Sequence, residues 1–231
     1  MFIGHFAVGL AAKRAAPRTS LTTLLSAALF LDILWPLLLW TGLEKVRIDP
    51  GNTAFTPLDF VSYPISHSLV MALVWSVLFA WIYRARTGYA IGAAWVAIAV
   101  FSHWLLDFVS HRPDMPLLPG AGPKVGLGLW NSVPATMVVE AAMFLVGLGL
   151  YLRTTRAKSW LGHVSLWSLV LLLAVMYAGS ASAAPPPSAE AVRNLSTFLL
   201  LFPLWFFWID RTRELRVPIP FGEGVPSPDR A

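Results

Sequence analysis

The chain contains no cysteine, which excludes disulfide cross-links and thiolate metal sites; any metal it binds must be held by nitrogen and oxygen donors. Charge is also scarce. Only 13% of the 231 residues are Asp, Glu, Lys or Arg, against about a quarter in an ordinary soluble domain. No internal repeat is present. What fills the chain is apolar: 57% of residues are hydrophobic, in runs close to the ~20 residues that carry a helix across a bilayer. These runs predict an all-α, polytopic transmembrane helical bundle with about six spans, preceded by a short membrane-embedded helix. One domain is expected over 1–216, followed by an irregular tail over 217–231 that is rich in proline and glycine.

The expected spans are Leu21–Leu43, Ser66–Tyr83, Tyr89–Val109, Pro134–Leu152, His163–Ser180 and Ala191–Ile209. Met1–Ala12 is apolar but too short to cross. Its basic residues follow the apolar stretch rather than precede it, so it does not read as a secretory signal. Six spans put Lys13, Arg14, Arg18, Arg84, Arg86, Arg153, Arg156, Lys158, Arg211, Arg213, Arg216 and Arg230 on one side. Only Lys45, Arg47, Arg112, Lys124 and Arg193 fall on the other. By the positive-inside rule the first side is cytoplasmic and holds both termini. The surplus of positive charge is therefore a topology signal; it forms no contiguous patch, and no nucleic-acid partner is expected. Trp205, Phe206, Phe207 and Trp208 suit an interfacial aromatic belt, and Ser180–Ser188 a connecting loop.

Against this oily background a few ionisable residues stand inside the spans, where each costs a few kcal/mol unless it is partnered or functional. FSHWLLDFVSHRPD places His103, Asp107 and His111 at four-residue intervals. Asp32 lies in the first span, His67 opens the second, Glu140 is in the fourth, and His5 is in the short first helix. With a rise of ~1.5 Å per residue, Asp32, His103 and Asp107 lie roughly 18, 21 and 27 Å from the cytoplasmic ends of their spans. His67 and Glu140 lie near the opposite ends, and all five fall in the outer half of the bilayer. His5 joins them if the first helix points its amino end into the membrane.

Residues four apart share a helical face, so His103 and Asp107 can bind one ion together. His111, ~12 Å from His103 along the axis, suits a second ion or a proton-transfer or phosphate-binding role. Imidazoles with carboxylates suit zinc, iron, manganese or nickel, and histidine-rich sites lean to zinc. The expected metal ligands are His5, Asp32, His67, His103 and Asp107, with His111 and Glu140 as proton-transfer groups. Glu140 has a second reading, as a partner of Arg112 or Lys124. His163 reads as interfacial, and Glu44, Asp49 and Asp59 as solvated loop residues. GAGPKVGLGLW (Gly120–Trp130) lacks the Lys-Ser/Thr ending of a phosphate loop and reads as an outer loop folded over the site, with Trp130 and Asn131 at its rim.

The order of these motifs resembles the YdjM family of predicted inner-membrane, metal-dependent hydrolases. In that family an amino-terminal histidine precedes a Pro-Asp motif, then a Thr-His-Ser motif, then a helix with histidine and aspartate four apart. The matching segments are Gly4-His5-Phe6, Leu31-Asp32-Ile33, Ser66-His67-Ser68 and His103-Trp104-Leu105-Leu106-Asp107 with His111 beyond, over about the first half of the chain. Leu31 replaces the proline and Leu34 a common second aspartate, while Ser62 and Tyr63 stand in place of a histidine-arginine pair. The resemblance thus leaves open a mononuclear enzyme or an inactive relative. It implies a bacterial inner-membrane location and, through a likeness to zinc-dependent phospholipase C and single-strand nucleases, hydrolysis of a phosphoester in a membrane lipid or lipid-linked substrate. Two other classes compete on the residues alone: an ion or metal transporter or channel, and a structural membrane protein whose polar groups only fix helix packing.

Overall fold

In the computed structural model, which describes residues 1–180, 182 and 184–217, the chain is an all-α bundle, 68% helical, with only short strands. All but the first residue of the expected irregular tail lies outside the described residues. The helices are α1 (Ile3–Ala15), α2 (Leu21–Ala28), α3 (Phe30–Trp40), α4 (Pro64–His67), α5 (Leu69–Thr87), α6 (Ala90–Ser110), α7 (Val133–Thr154), α8 (Trp160–Ser180), α9 (Ala189–Ser196) and α10 (Phe202–Thr212). A short 3₁₀ segment, Thr197–Leu201, joins α9 to α10 in one apolar span. Three two-stranded antiparallel ribbons close the ends: β1 (Lys45–Ile48) with β2 (Leu58–Ser62), β3 (Met115–Pro116) with β4 (Lys124–Val125), and β5 (Thr155–Ala157) with β6 (Arg213–Leu215).

Among the described residues, five spans are long and apolar enough to cross a membrane: α5, α6, α7, α8 and α9–α10. The pair α2–α3 makes a sixth if it is one broken span. The protein is a multi-pass membrane protein. Its surface supports this directly. Leu73, Val74, Val77, Leu78 and Trp81 on α5, and Val138, Leu145 and Val146 on α7, are exposed. In water such faces would be a liability, whereas in lipid they are the ordinary exterior.

The sequence suggests an unbroken helix from Leu21 to Leu43. Instead α2 and α3 meet at Leu29 with a 58° bend. The bend has no proline or glycine at it. It lies where Ala27 and Ala28 pack against Val96, Ala99 and Val100 of α6, small side chains that let the two helices approach closely. Pro36, further along α3, removes the N–H that would otherwise bond the Asp32 carbonyl.

Helix α1 is buried for most of its length among α2, α6 and α7, which suits a helix that is apolar on every side. Glycine makes this possible. A Cβ at Gly147 of α7 would lie 2.4 Å from the Ala7 carbonyl oxygen, so the two backbones are in direct contact. At one end of the bundle, Asp210 of α10 caps α2, accepting from Leu21 N at 2.8 Å, Thr22 N at 2.7 Å and Thr22 Oγ1 at 2.6 Å. At the other, the β1–β2 hairpin folds inward, with Phe55 N donating to the Trp130 carbonyl at 2.9 Å and Phe55 and Phe60 beside the Trp130 ring.

Candidate metal centre

Four elements deliver polar side chains to one point beneath the hairpin end. His103 and Asp107 lie one turn apart on the buried face of α6. Asp32 is in the first turn of α3, immediately after the bend. His67 ends α4, a single turn set off from α5 by Ser68, whose side chain caps α5. His5 is in the first turn of α1. All five residues expected as ligands are therefore brought together.

Their donor atoms form a closed ring. His103 Nε2 lies 3.3 Å from Asp107 Oδ2 and 3.6 Å from Asp32 Oδ1; His67 Nε2 lies 3.6 Å from each of those same oxygens. Among the described residues the donors fall into two triads that share His103: those of Asp32, His67 and His103 lie within 4.8 Å of one another, as do those of His5, His103 and Asp107. His5 stacks on His103, ring centroids 3.6 Å apart, and its Nε2 lies 3.1 Å from the other Asp107 oxygen, Oδ1. That oxygen also meets the Met1 amino group, which bonds Ser110 Oγ at 2.9 Å.

The far nitrogens of the two ring histidines are already committed. His103 Nδ1 donates to the Ala28 carbonyl at 2.8 Å, at the α2–α3 bend. His67 Nδ1 is 2.6 Å from Ser66 Oγ, whose own hydroxyl donates to Glu44 Oε2 at 2.6 Å. Because that hydroxyl hydrogen is spent on a carboxylate, the Ser66 oxygen accepts from His67 Nδ1–H. In their neutral form both rings thus carry their hydrogen on Nδ1 and aim a lone pair on Nε2 inward. His103 Nε2 is buried and has no hydrogen-bond partner. Buried Asp107 is met by the Met1 amino group on one oxygen only; its other oxygen and the half-buried Asp32 face the two inward lone pairs, an arrangement that a divalent cation satisfies. The residues fit a metal ion.

The cluster is closed on most sides. The side chains of His5, His67, His103 and Asp107 are at most 6% exposed, whereas that of Asp32 is 28% exposed. Asp32 therefore marks the opening.

The two expected proton-transfer residues lie outside the donor ring. Glu140 is fully buried, and its Oε2 accepts from Phe2 N at 2.7 Å and Gly4 N at 3.1 Å, so the carboxyl caps α1 and sets the depth of His5; it pairs with neither Arg112 nor Lys124. His111 follows the end of α6. Its Nδ1 is 2.9 Å from Asp114 Oδ1 and 3.4 Å from Tyr63 Oη, and its ring packs on Trp130 with centroids 4.3 Å apart. The hydrogen bonds from His111, Tyr63 and Arg112 hold the Asp114 carboxyl below the usual range despite its burial. Burial, and then the Asp114 charge, push the Tyr63 phenol well above its ordinary value, so it remains a donor.

Glu44 and Asp59, read from the sequence as solvated, are buried. Asp59 binds Arg47 at 2.7 Å and Arg112 at 2.8 Å, pinning the hairpin to the end of α6. Glu44 accepts from Ile65 N and Ser66 N, both at 2.8 Å, besides Ser66 Oγ. Neither has a spacing that points to burial; Glu44 is enclosed by its bonds to α4 and Asp59 by its two arginines. Trp130 is buried over His111, Asn131 is exposed beside it, and His163 is exposed at the start of α8.

No family model, curated protein or solved structure matches the chain.

Proposed function

We propose that the chain is a metal-dependent hydrolase embedded in the bacterial inner membrane, acting on a phosphoester or lipid-linked substrate. Asp32, His67, His103 and Asp107 would hold the ion, and His5 binds the remaining oxygen of Asp107. The observation that carries this reading is the pair of outward hydrogen bonds, to Ala28 and Ser66, that turn two neutral imidazole lone pairs toward the same two carboxylate oxygens. Metal-binding histidines are oriented by such outer partners. Imidazole nitrogens with carboxylate oxygens suit zinc.

An ion held there by these residues would lower the pKa of coordinated water toward neutrality and polarise a phosphoryl oxygen. The protein's part is to keep the donors fixed and water limited. His5 and His103 stack and so constrain one another. His5 Nε2 takes Asp107 Oδ1, which leaves Oδ2 facing the histidine pair. Asp32, at the opening, is the ligand a substrate passes first. The motif order, which resembles that of the YdjM family, and the apolar exterior of the helices around the bundle both favour a substrate drawn from the bilayer. Toward the far end the core is apolar, formed by Leu21, Leu25, Leu166, Leu169, Phe206 and Ile209, which favours hydrolysis over passage of an ion through the bundle.

The test is metal analysis of protein purified in detergent, loaded with zinc and freed of excess, alongside His103→Ala. The expected result is zinc retained by the wild type and lost by the variant, with chelator-sensitive release of phosphate or headgroup from phospholipid and lipid-diphosphate substrates. Equally little metal in both preparations overturns the proposal.

A further inference from the structure

We infer that Glu44 is a positioning residue that acts through Ser66 to set the tautomer of His67, and that it thereby governs the affinity of the metal centre. This inference rests on the metal-binding reading above.

Glu44 follows the end of α3 and is 1% exposed. Burying a carboxylate is costly unless it is bonded, and this one is fully used. Oε1 takes the backbone N–H groups of Ile65 and Ser66, the first unpaired donors of α4, both at 2.8 Å. Oε2 takes the Ser66 hydroxyl at 2.6 Å. A carboxylate cannot donate, so the direction of the chain is forced: Ser66 Oγ–H points to Glu44, His67 Nδ1–H points to Ser66, and Nε2 keeps its lone pair for the cluster. The backbone bonds alone would account for a structural cap. The hydroxyl bond does more, because it links the acid to a residue of the cluster.

The two roles separate on one substitution. In Glu44→Gln the amide oxygen can keep both backbone N–H groups, so the cap survives. The amide nitrogen must then donate to Ser66 Oγ, and the Ser66 hydroxyl turns to His67 Nδ1. That favours a hydrogen on Nε2, facing the cluster, where it opposes metal binding.

The experiment is a zinc titration against a competing chelator, run in detergent on the full chain with wild type, Glu44→Gln, Ser66→Ala and Ser66→Thr, beside melting curves of the metal-free proteins. Removing an outer partner of a ligand is expected to weaken zinc roughly 10- to 100-fold in Glu44→Gln and Ser66→Ala. The metal-free melting temperature of Glu44→Gln should stay at the wild-type value. Ser66→Thr, which keeps the hydroxyl, should restore affinity. Cobalt substitution gives a second readout, since a changed His67 donor shifts the visible bands of the bound ion. If wild type binds zinc and both Glu44→Gln and Ser66→Ala bind it equally well, the relay is refuted while the metal centre stands. If wild type binds none, the parent reading falls and the relay with it.

Discussion

Gly147→Ala is the smallest change that tests how the site is held. The new methyl group would sit 2.4 Å from the Ala7 oxygen, 2.8 Å from its Cα and 2.9 Å from its carbonyl carbon. All three are backbone atoms and none can rotate away. Ordinary contact begins at 3.4 Å, so α1 and α7 must separate by about 1 Å. Overpacking of this kind costs about 1–3 kcal/mol, partly masked by up to ~1 kcal/mol gained from replacing a helical glycine. The displacement also reaches the site. Ala7 is two residues from His5, and ligand constellations tolerate shifts of only about 0.5 Å. Gly149, on the same helix, is the control, because a Cβ there meets nothing within 4 Å and the propensity gain is the same. Intrinsic fluorescence from the 11 tryptophans can follow the melt in detergent. Gly147→Ala should melt below Gly149→Ala and bind zinc more weakly, while Gly149→Ala should match or exceed wild type. Equal melting and equal zinc affinity in the two variants would refute the argument that backbone contact seats α1.

Further outcomes follow from the same contacts. Zinc at 100 times its dissociation constant should stabilise the wild type by about 2.7 kcal/mol by mass action, and the gain should vanish in His103→Ala; it is read from melting curves with and without metal. Asp210→Ala removes the acceptor for three donors at the start of α2 and should cost about 1–2 kcal/mol without changing zinc affinity, measured by melting and titration of the same sample. Asp114→Asn should destabilise the protein by about 1–3 kcal/mol at pH 7. Since the folded Asp114 carboxyl is held below its unfolded value of about 3.9, its contribution is complete above that value and fades as the pH falls through the folded one. The gap between wild type and Asp114→Asn should therefore close in melts taken at progressively lower pH; a gap that stays constant contradicts the bonding described.

The bundle and the gathering of His5, Asp32, His67, His103 and Asp107 were legible because two physical rules act on the sequence directly. Lipid demands long apolar runs, and it penalises ionisable groups enough that those within the runs stand out. Rise per residue then gave them a common depth. The bend at Leu29 was not legible: with no proline or glycine there, it depends on how closely Ala27 and Ala28 meet α6, a tertiary matter. Glu44 and Asp59 were misread for a related reason. In sequence a loop acid has no periodicity to betray burial, and only its bonded partners in the fold remove it from water. Glu140 shares the level of the cluster, and its bonds to the start of α1 are a tertiary contact that no spacing announces.

The bend between α2 and α3 has a consequence for how such a centre can change over time. One imidazole is steadied by a main-chain carbonyl at Ala28, which every side-chain replacement leaves in place. The other leans on a hydroxyl and an acid, both encoded by single codons. Variation in metal affinity among sequences of this type should therefore collect at positions 44 and 66, on the mutable arm, while the arm built on the broken helix stays constant.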